Sequence, residues 1–335
     1  LYGMKKTFGW VLPCTGLRHW AGTWGRRAAL LALPLLIGIM AARCRDWLNL
    51  RLQSHLEIAR FNGVEFARQL TNLPLVFLGQ IVSIVMLPHL AGILHKDGAA
   101  THRRTLENTL EMLFILSIPV VAVSLVLAPE LVALVFIKAD WTPAHAVLCS
   151  QGALAVRVIA LGYTFMVVEN ILMPGLFSIQ SMWWPILWGV AASVFQIACL
   201  LGLAALGLPR DSAWLVAGIA FAYPLSRIFK NGTLLLVLRR KTGLFPGRAF
   251  GGLLARMLLF AAVAVALTLL ARVLVGLGLG PFRTQGVNLL RYKLMLAVRI
   301  LIPTAAMAAG LGIALRMAGY GRQLRQLRQL LRRHR

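Results

Sequence analysis

The sequence predicts an all-α fold, a polytopic membrane helix bundle of about eight transmembrane helices, and three observations predict it. The first is composition. Mean hydropathy is +0.77, apolar residues make up 59 % and charged residues only 13 %, against the roughly 25 % charged residues of soluble domains. The second is a succession of apolar runs, at 28–56, 69–94, 107–137, 148–177, 183–207, 212–238, 250–279 and 291–318. A bilayer crossing takes about 20 mostly apolar residues, and all but the first run supply them without charged interruption of comparable density. The third is where the positive charge lies. A formal net charge of +25, from 35 Lys and Arg against 10 Asp and Glu, would suit a nucleic-acid binder, but its placement excludes that partner. Lys5, Lys6, Arg18, Arg26 and Arg27 form one cluster, Lys96, Arg103 and Arg104 a second, Arg239, Arg240, Lys241 and Arg248 a third, and the tail from Arg322 to Arg335 a fourth. Counting eight crossings, all four fall on one side, as the positive-inside rule requires of cytoplasmic loops. Both ends are therefore expected in the cytoplasm.

Residues 1–27 carry Trp10, Trp20 and Trp24 among Lys5, Lys6, Arg18 and His19, the composition of a segment at a membrane interface with its indoles at headgroup depth. The first span starts apolar at Ala28 and continues as Arg43-Cys44-Arg45-Asp46-Trp47-Leu48-Asn49-Leu50-Arg51. Charge at membrane depth costs about 2.5–3.5 kcal/mol per residue on insertion scales unless it faces a cavity or a partner. At 100° per residue Arg45, Asp46, Asn49, Gln53, Glu57 and Arg60 fall within about 120° of one helix face. In the second span Glu65, Arg68, Thr71, Asn72, Gly79 and Ser83 share a similar arc, so two facing polar stripes are expected to wall a water-accessible groove. The same residues also read as pairs that satisfy one another, Arg43 with Asp46 and Glu65 with Arg68, each at i+3. The excess of Arg over acid favours an anion, because guanidinium meets phosphate through paired donors.

Further along, Arg157 and Glu169 share the fourth span about 120° apart, so each needs a partner from another helix, and Glu169 reads either as a cavity residue or as a structural pair member. Arg227 and Lys230 are expected to snorkel at the cytoplasmic end of the sixth span. Pro74, Pro88, Pro119, Pro174, Pro224 and Pro303 lie inside spans, where proline marks kinks. In the tail, Leu324, Leu327 and Leu331 share one face of a short helix flanked by Arg325, Arg328, Arg332 and Arg333, which is expected to lie on anionic lipid. Cys14, Cys44, Cys149 and Cys199 are scattered without CxxC spacing, so no disulfide framework is expected. No phosphate loop, nucleophile elbow or metal-ligand spacing occurs. No cofactor, metal or catalytic residue is therefore expected, and no connection could hold a nucleotide-binding domain.

One stretch carries a resemblance. Phe66-Ala67-Arg68-Gln69-Leu70-Thr71-Asn72-Leu73-Pro74-Leu75, followed by Gly79 and by Val85-Met86-Leu87-Pro88-His89-Leu90, resembles the signature of the lipid II flippase family (MurJ/MviN). The similarity continues through Arg103-Arg104-Thr105-Leu106, Leu127-Ala128-Pro129-Glu130-Leu131-Val132, the Trp141-Thr142 loop, Ala160-Leu161-Gly162 and Pro174-Gly175-Leu176-Phe177-Ser178. It covers roughly 25–318. It implies a member of the multidrug/oligosaccharidyl-lipid/polysaccharide exporter superfamily, of which the chain matches the second six-helix lobe (28–240) and two additional C-terminal helices (241–318), ahead of a basic tail (319–335). The first lobe is then an expected partner, in cis or in trans, along with membrane lipids and a lipid-linked diphosphate substrate.

By the same resemblance Arg68 meets that diphosphate and Asn49 holds a matching polar position; Arg43, Arg45, Asp46, Asn72 and Glu169, read from the polar stripes and the fourth span rather than from the family, complete the candidate substrate-binding set. The chain departs from the family in having Ala67 where an acid is usual, in the charge density of Arg43 to Asp46, and at Glu169, where relatives often carry another residue. The expected function is transport without covalent chemistry, a flippase working by alternating access. A related exporter of polysaccharide-linked lipids or of drugs and a non-transporting membrane scaffold are the alternatives. A drug exporter would want acids in its cavity, which the Arg-rich first span argues against.

Overall fold

The computed structural model describes residues 23–54, 56, 58–76, 81–136, 143–209, 212–245, 249–279 and 289–317. Every regular element among them is a helix: α1 Thr23–Gln53, α2 Ile58–Leu75, α3 Ile81–Lys96, α4 Gly98–Val126, α5 Ala128–Phe136, α6 Pro143–Ala160, α7 Tyr163–Ser178, α8 Trp183–Ala205, α9 Ala213–Thr242, α10 Ala249–Leu279 and α11 Leu289–Met317. Of the interfacial segment expected at 1–27, residues 1–22 lie outside the described residues and 23–27 already belong to α1; the amphipathic tail expected at 319–335 also lies outside them.

Three of the expected spans are each made of two helices, and each division has a local cause. The 69–94 run divides into the end of α2 and α3. Pro74 lies one residue from the end of α2, where its missing N–H and its ring tell against another turn. The 107–137 run breaks at Leu127, immediately before Ala128-Pro129, and Pro129 sits in the first turn of α5, where proline is tolerated. The 148–177 run bends by 43° between α6 and α7. Gly162 lies at that bend, and a Cβ there would come within 2.9 Å of Pro224 Cα on α9, so the close approach of two backbones requires glycine. α9 is closed at both ends: the Ser212 hydroxyl accepts from the Trp214 amide at 3.2 Å, and Gly243, at φ +69°, donates its N–H to the Arg239 carbonyl. Arg239, Arg240 and Lys241 in its last turn suit the negative end of the helix dipole.

Four helical stretches are long and apolar enough to cross a membrane singly, Gly98–Val126, Trp183–Ala205, Gly251–Gly278 and Arg291–Arg316, and the bent pair Ala146–Ala160 with Tyr163–Ser178 makes a fifth. The protein is thus a multi-pass membrane protein. The other expected crossings coincide with α1, α2 with α3, and α9, the helices that are interrupted or carry charge. α10 and α11 pack on each other and leave Leu258, Leu274, Leu277, Leu301 and Ile313 exposed, the outward face a lipid-embedded helix presents.

Two apolar clusters hold the bundle together. One joins Leu90 of α3, Leu106 and Leu110 of α4, Ile171 and Leu172 of α7, Leu234 and Leu238 of α9, Phe260 of α10 and Met307 of α11. The other joins Val64 and Ala67 of α2, Val132 of α5, Val156 and Ile159 of α6, Val216 and Ile219 of α9 and Leu296 of α11. α2 lies close against α6, where a Cβ on Gly63 would stand 3.1 Å from the Gly152 amide nitrogen. Small residues allow such contact, and in lipid close packing is what drives helix association.

The structure corrects the expected pair of facing stripes. α1 ends at Gln53, with Leu56 N–H turned back to the Gln53 carbonyl, so Arg60 belongs to α2 and the α1 stripe stops at Gln53; Glu57 lies outside the described residues. α1 packs chiefly on α8 and α2 chiefly on α6, and α9 touches both. Toward α9, Arg45 of α1 shares a cavity lining with Arg227 and Arg68 of α2 lies over Tyr223.

Candidate functional site

The charged centre of the molecule lies between α7 and α9. Glu169 on α7 faces Arg227, Lys230 and Asn231 on α9, positions that share one helix face at i, i+3 and i+4. Arg227 Nη1 donates to both carboxylate oxygens at 3.0 and 3.2 Å, Lys230 Nζ to Oε1 at 2.5 Å and Asn231 Nδ2 to Oε2 at 3.1 Å. Asn231 Nδ2 also donates to the Phe165 carbonyl at 2.9 Å. The guanidinium carbon of Arg227 lies 5.4 Å from the Tyr223 ring centroid and that of Arg68, from α2, lies 5.7 Å from it. Tyr223 therefore brings two guanidinium groups of different helices to one ring, a cation–π arrangement worth about 0.5–2 kcal/mol per contact.

Two cavities open on this centre. The smaller, about 380 Å³, is lined by Glu169, Asn170, Tyr223 and Arg227 with Leu75 and Met166 among its apolar residues. The larger, about 750 Å³, lies among α1, α3, α7, α8 and α9; Arg45, Arg227 and Lys230 line it, with Ser193 and Ser226 the other polar residues, and no carboxylate does. Arg227 borders both. Arg45 is held by Asp46, its Nη2 2.9 Å and its Nε 3.1 Å from Oδ1.

The seven candidate residues thus divide. Arg45 and Glu169 each line a cavity, Arg68 reaches the centre through Tyr223 while donating to Glu65 at 3.4 Å, and Asp46 steadies Arg45. Asn49 is 2 % exposed and accepts from Gln53 Nε2 at 3.1 Å, so it is part of the interior. Arg43 and Asn72 are exposed and line neither cavity. Arg227 and Lys230, expected to snorkel, instead turn to Glu169. α9 has 30 residues, about ten more than a crossing needs, which leaves positions 227–230 near its middle. A signal for them does exist in the sequence: a buried carboxylate on one span needs cations from another, and these two stand one turn apart.

Arg157 has a different task. Its Nε donates to the Leu125 carbonyl at 3.0 Å, and Arg272 Nη1 donates to the Val126 carbonyl at 3.0 Å while pairing with Glu130 at 2.7 Å. Both answer carbonyls that the α4–α5 break leaves without helical donors. Cys44, Cys149 and Cys199 are free thiols, and among the described residues no group of three His, Cys, Asp or Glu is placed to hold a metal ion.

Comparison with known proteins agrees with this architecture. The family described as Lipid II flippase MurJ matches residues 11–282. A probable lipid II flippase MurJ of Vibrio cholerae is 27 % identical over 170 residues, covering 50 % of this chain and 31 % of that protein. One of Rhizobium meliloti is 27 % identical over 205 residues, covering 59 % and 37 %. The chain thus matches about a third of the length of these curated relatives. A solved lipid II flippase MurJ in an inward closed conformation superposes with a TM-score of 0.62 at 14 % identity, over 91 % of this chain and 56 % of that one, a likeness of fold.

Proposed function

The chain belongs to the lipid II flippase MurJ family, and on that premise we propose that it is the C-terminal portion of a flippase carrying a lipid-linked peptidoglycan precursor across the bacterial inner membrane by alternating access. Arg45, Arg68, Arg227 and Lys230 neutralise the diphosphate, and the polyprenyl tail runs along the apolar outward faces of α10 and α11. Binding and reorientation suffice, so this is a transporter without covalent chemistry. In this reading the basic helix ends and both termini lie in the cytoplasm, and a complementary lobe, in cis or in trans, closes the cavity.

The observation that carries the reading is the larger cavity, about 750 Å³, with three cations and no acid among its lining residues. Cations at membrane depth mark ligand pathways because they are otherwise costly, and guanidinium matches phosphate oxygens through paired donors. A cavity without carboxylates does not suit cationic drugs. In vesicles holding the chain and a relative's first lobe, a fluorescent undecaprenyl-diphosphate disaccharide is expected to change leaflets. Arg227→Glu should abolish that movement while membrane insertion persists. Binding without movement would favour a scaffold, and movement unchanged by the reversal would remove the anion site.

A further inference from the structure

Glu169 stands where an anion held by Arg227 and Lys230 would stand. Its two oxygens receive four donor contacts, from a guanidinium, an ammonium and a carboxamide, the kinds of donor that a phosphate group also recruits. Asn231 is anchored independently at the Phe165 carbonyl, so part of the cradle persists if the carboxylate leaves. The cluster is reachable: the side chains of Glu169, Arg227 and Lys230 keep 20 %, 22 % and 11 % of their surface. The carboxylate borders the smaller cavity, Lys230 the larger, and Arg227 both. Nor is the network closed, for Nε of Arg227 and Oδ1 of Asn231 are buried without a hydrogen-bond partner, whereas a purely structural ion cluster gains by satisfying every member.

We propose that Glu169 is a resident counter-ion, displaced from Arg227 and Lys230 when a diphosphate enters the larger cavity and returning when it leaves. This rests on the anion reading of that cavity given above. Without Glu169 two cations one helical turn apart would face the cavity unpaired, which is costly away from water. With it the ligand must compete, so the carboxylate weakens binding and assists release.

The test is calorimetric titration of the purified chain in detergent with inorganic pyrophosphate and, separately, with farnesyl diphosphate. Glu169→Gln should tighten diphosphate binding about tenfold, the scale of one charge-assisted hydrogen bond. Whichever ligand is tightened identifies the source, a free diphosphate or a lipid headgroup. The gain should vanish in a Lys230→Gln background; a gain of equal size there would mean a long-range charge effect and overturn the proposal. Glu169→Asp, carried alongside in case the Gln variant does not fold, keeps the charge but draws the carboxylate back, and should tighten binding by a smaller factor, about threefold. Wild-type binding with no tightening in the folded variants overturns the proposal alone. Absence of diphosphate binding in every chain overturns the anion reading with it.

Discussion

Arg68 reaches the charged centre without lining either cavity. Its guanidinium lies over Tyr223, whose ring also carries Arg227, and it donates to Glu65 within α2. A planar guanidinium stacks on the ring with its donors fixed toward the carboxylate, whereas an ammonium is a point charge on a flexible stem and holds both contacts less well. Arg68→Glu is expected to abolish flippase complementation in a protein carrying both lobes while leaving membrane insertion unchanged. Arg68→Lys should keep part of the activity, and full activity in the Glu variant would remove this residue from the site. Arg68 is legible in the sequence because it sits in a run resembling a family signature and on a polar stripe. Tyr223 is not, since one aromatic in an apolar span reads as packing. Arg227 and Lys230 escape for a related reason: cations in the second half of an apolar run read as snorkelling to its end, and the carboxylate that turns them inward, Glu169, stands on another helix.

At the scale of the helix, the apolar runs are readable and their breaks are not. Hydropathy stays high through Val126-Leu127-Ala128, so composition gives no sign that α4 ends there, although Pro129 follows. What makes the break tolerable in a membrane is remote, namely Arg157 of α6 and Arg272 of α10 donating to the Leu125 and Val126 carbonyls. Such partners belong to tertiary structure and no local pattern announces them. Arg157→Met, which keeps the length of the side chain and removes its donors, is expected to cost about 2 kcal/mol, the usual loss for a charged group's hydrogen bond. Thermal unfolding in detergent should show a lowered midpoint with unchanged helix content. An unchanged midpoint would mean that water already serves the Leu125 carbonyl.

The whole molecule is organised by its two ends and by one open side. The Phe245 amide donates to the Glu107 carboxylate at 2.8 Å, and a Cβ on Gly243 would stand 3.7 Å from Nη1 of Arg103. Two basic clusters far apart in sequence, around Arg103 and around Arg240, therefore meet at one end of the bundle, as the alternation of charge along the chain anticipates. The open side belongs to α1. It packs on α8 and lightly on α9, and it leaves Leu36, Ile37, Met40, Trp47 and Leu50 exposed together with Arg43. With α1 crossing the bilayer as the sequence leads us to expect, lipid would accept the apolar members of that face at no cost but Arg43 only at the cost of charge at membrane depth, a cost that a partner on a second lobe would relieve. The larger cavity draws one of its walls from the same helix, through Ile39, Ala42 and Arg45, so whatever covers α1 also bears on access to the cations. We therefore expect the 335-residue chain reconstituted alone to give no translocation of a lipid-linked diphosphate in a fluorescence-quenching assay, and a supplied first lobe to restore it. Because α1 carries both the uncovered Arg43 and a wall of the cavity, Arg43→Glu should weaken association with that lobe more than it weakens insertion. Rapid translocation by the purified chain alone would contradict the requirement and point to two copies of this lobe facing one another across α1.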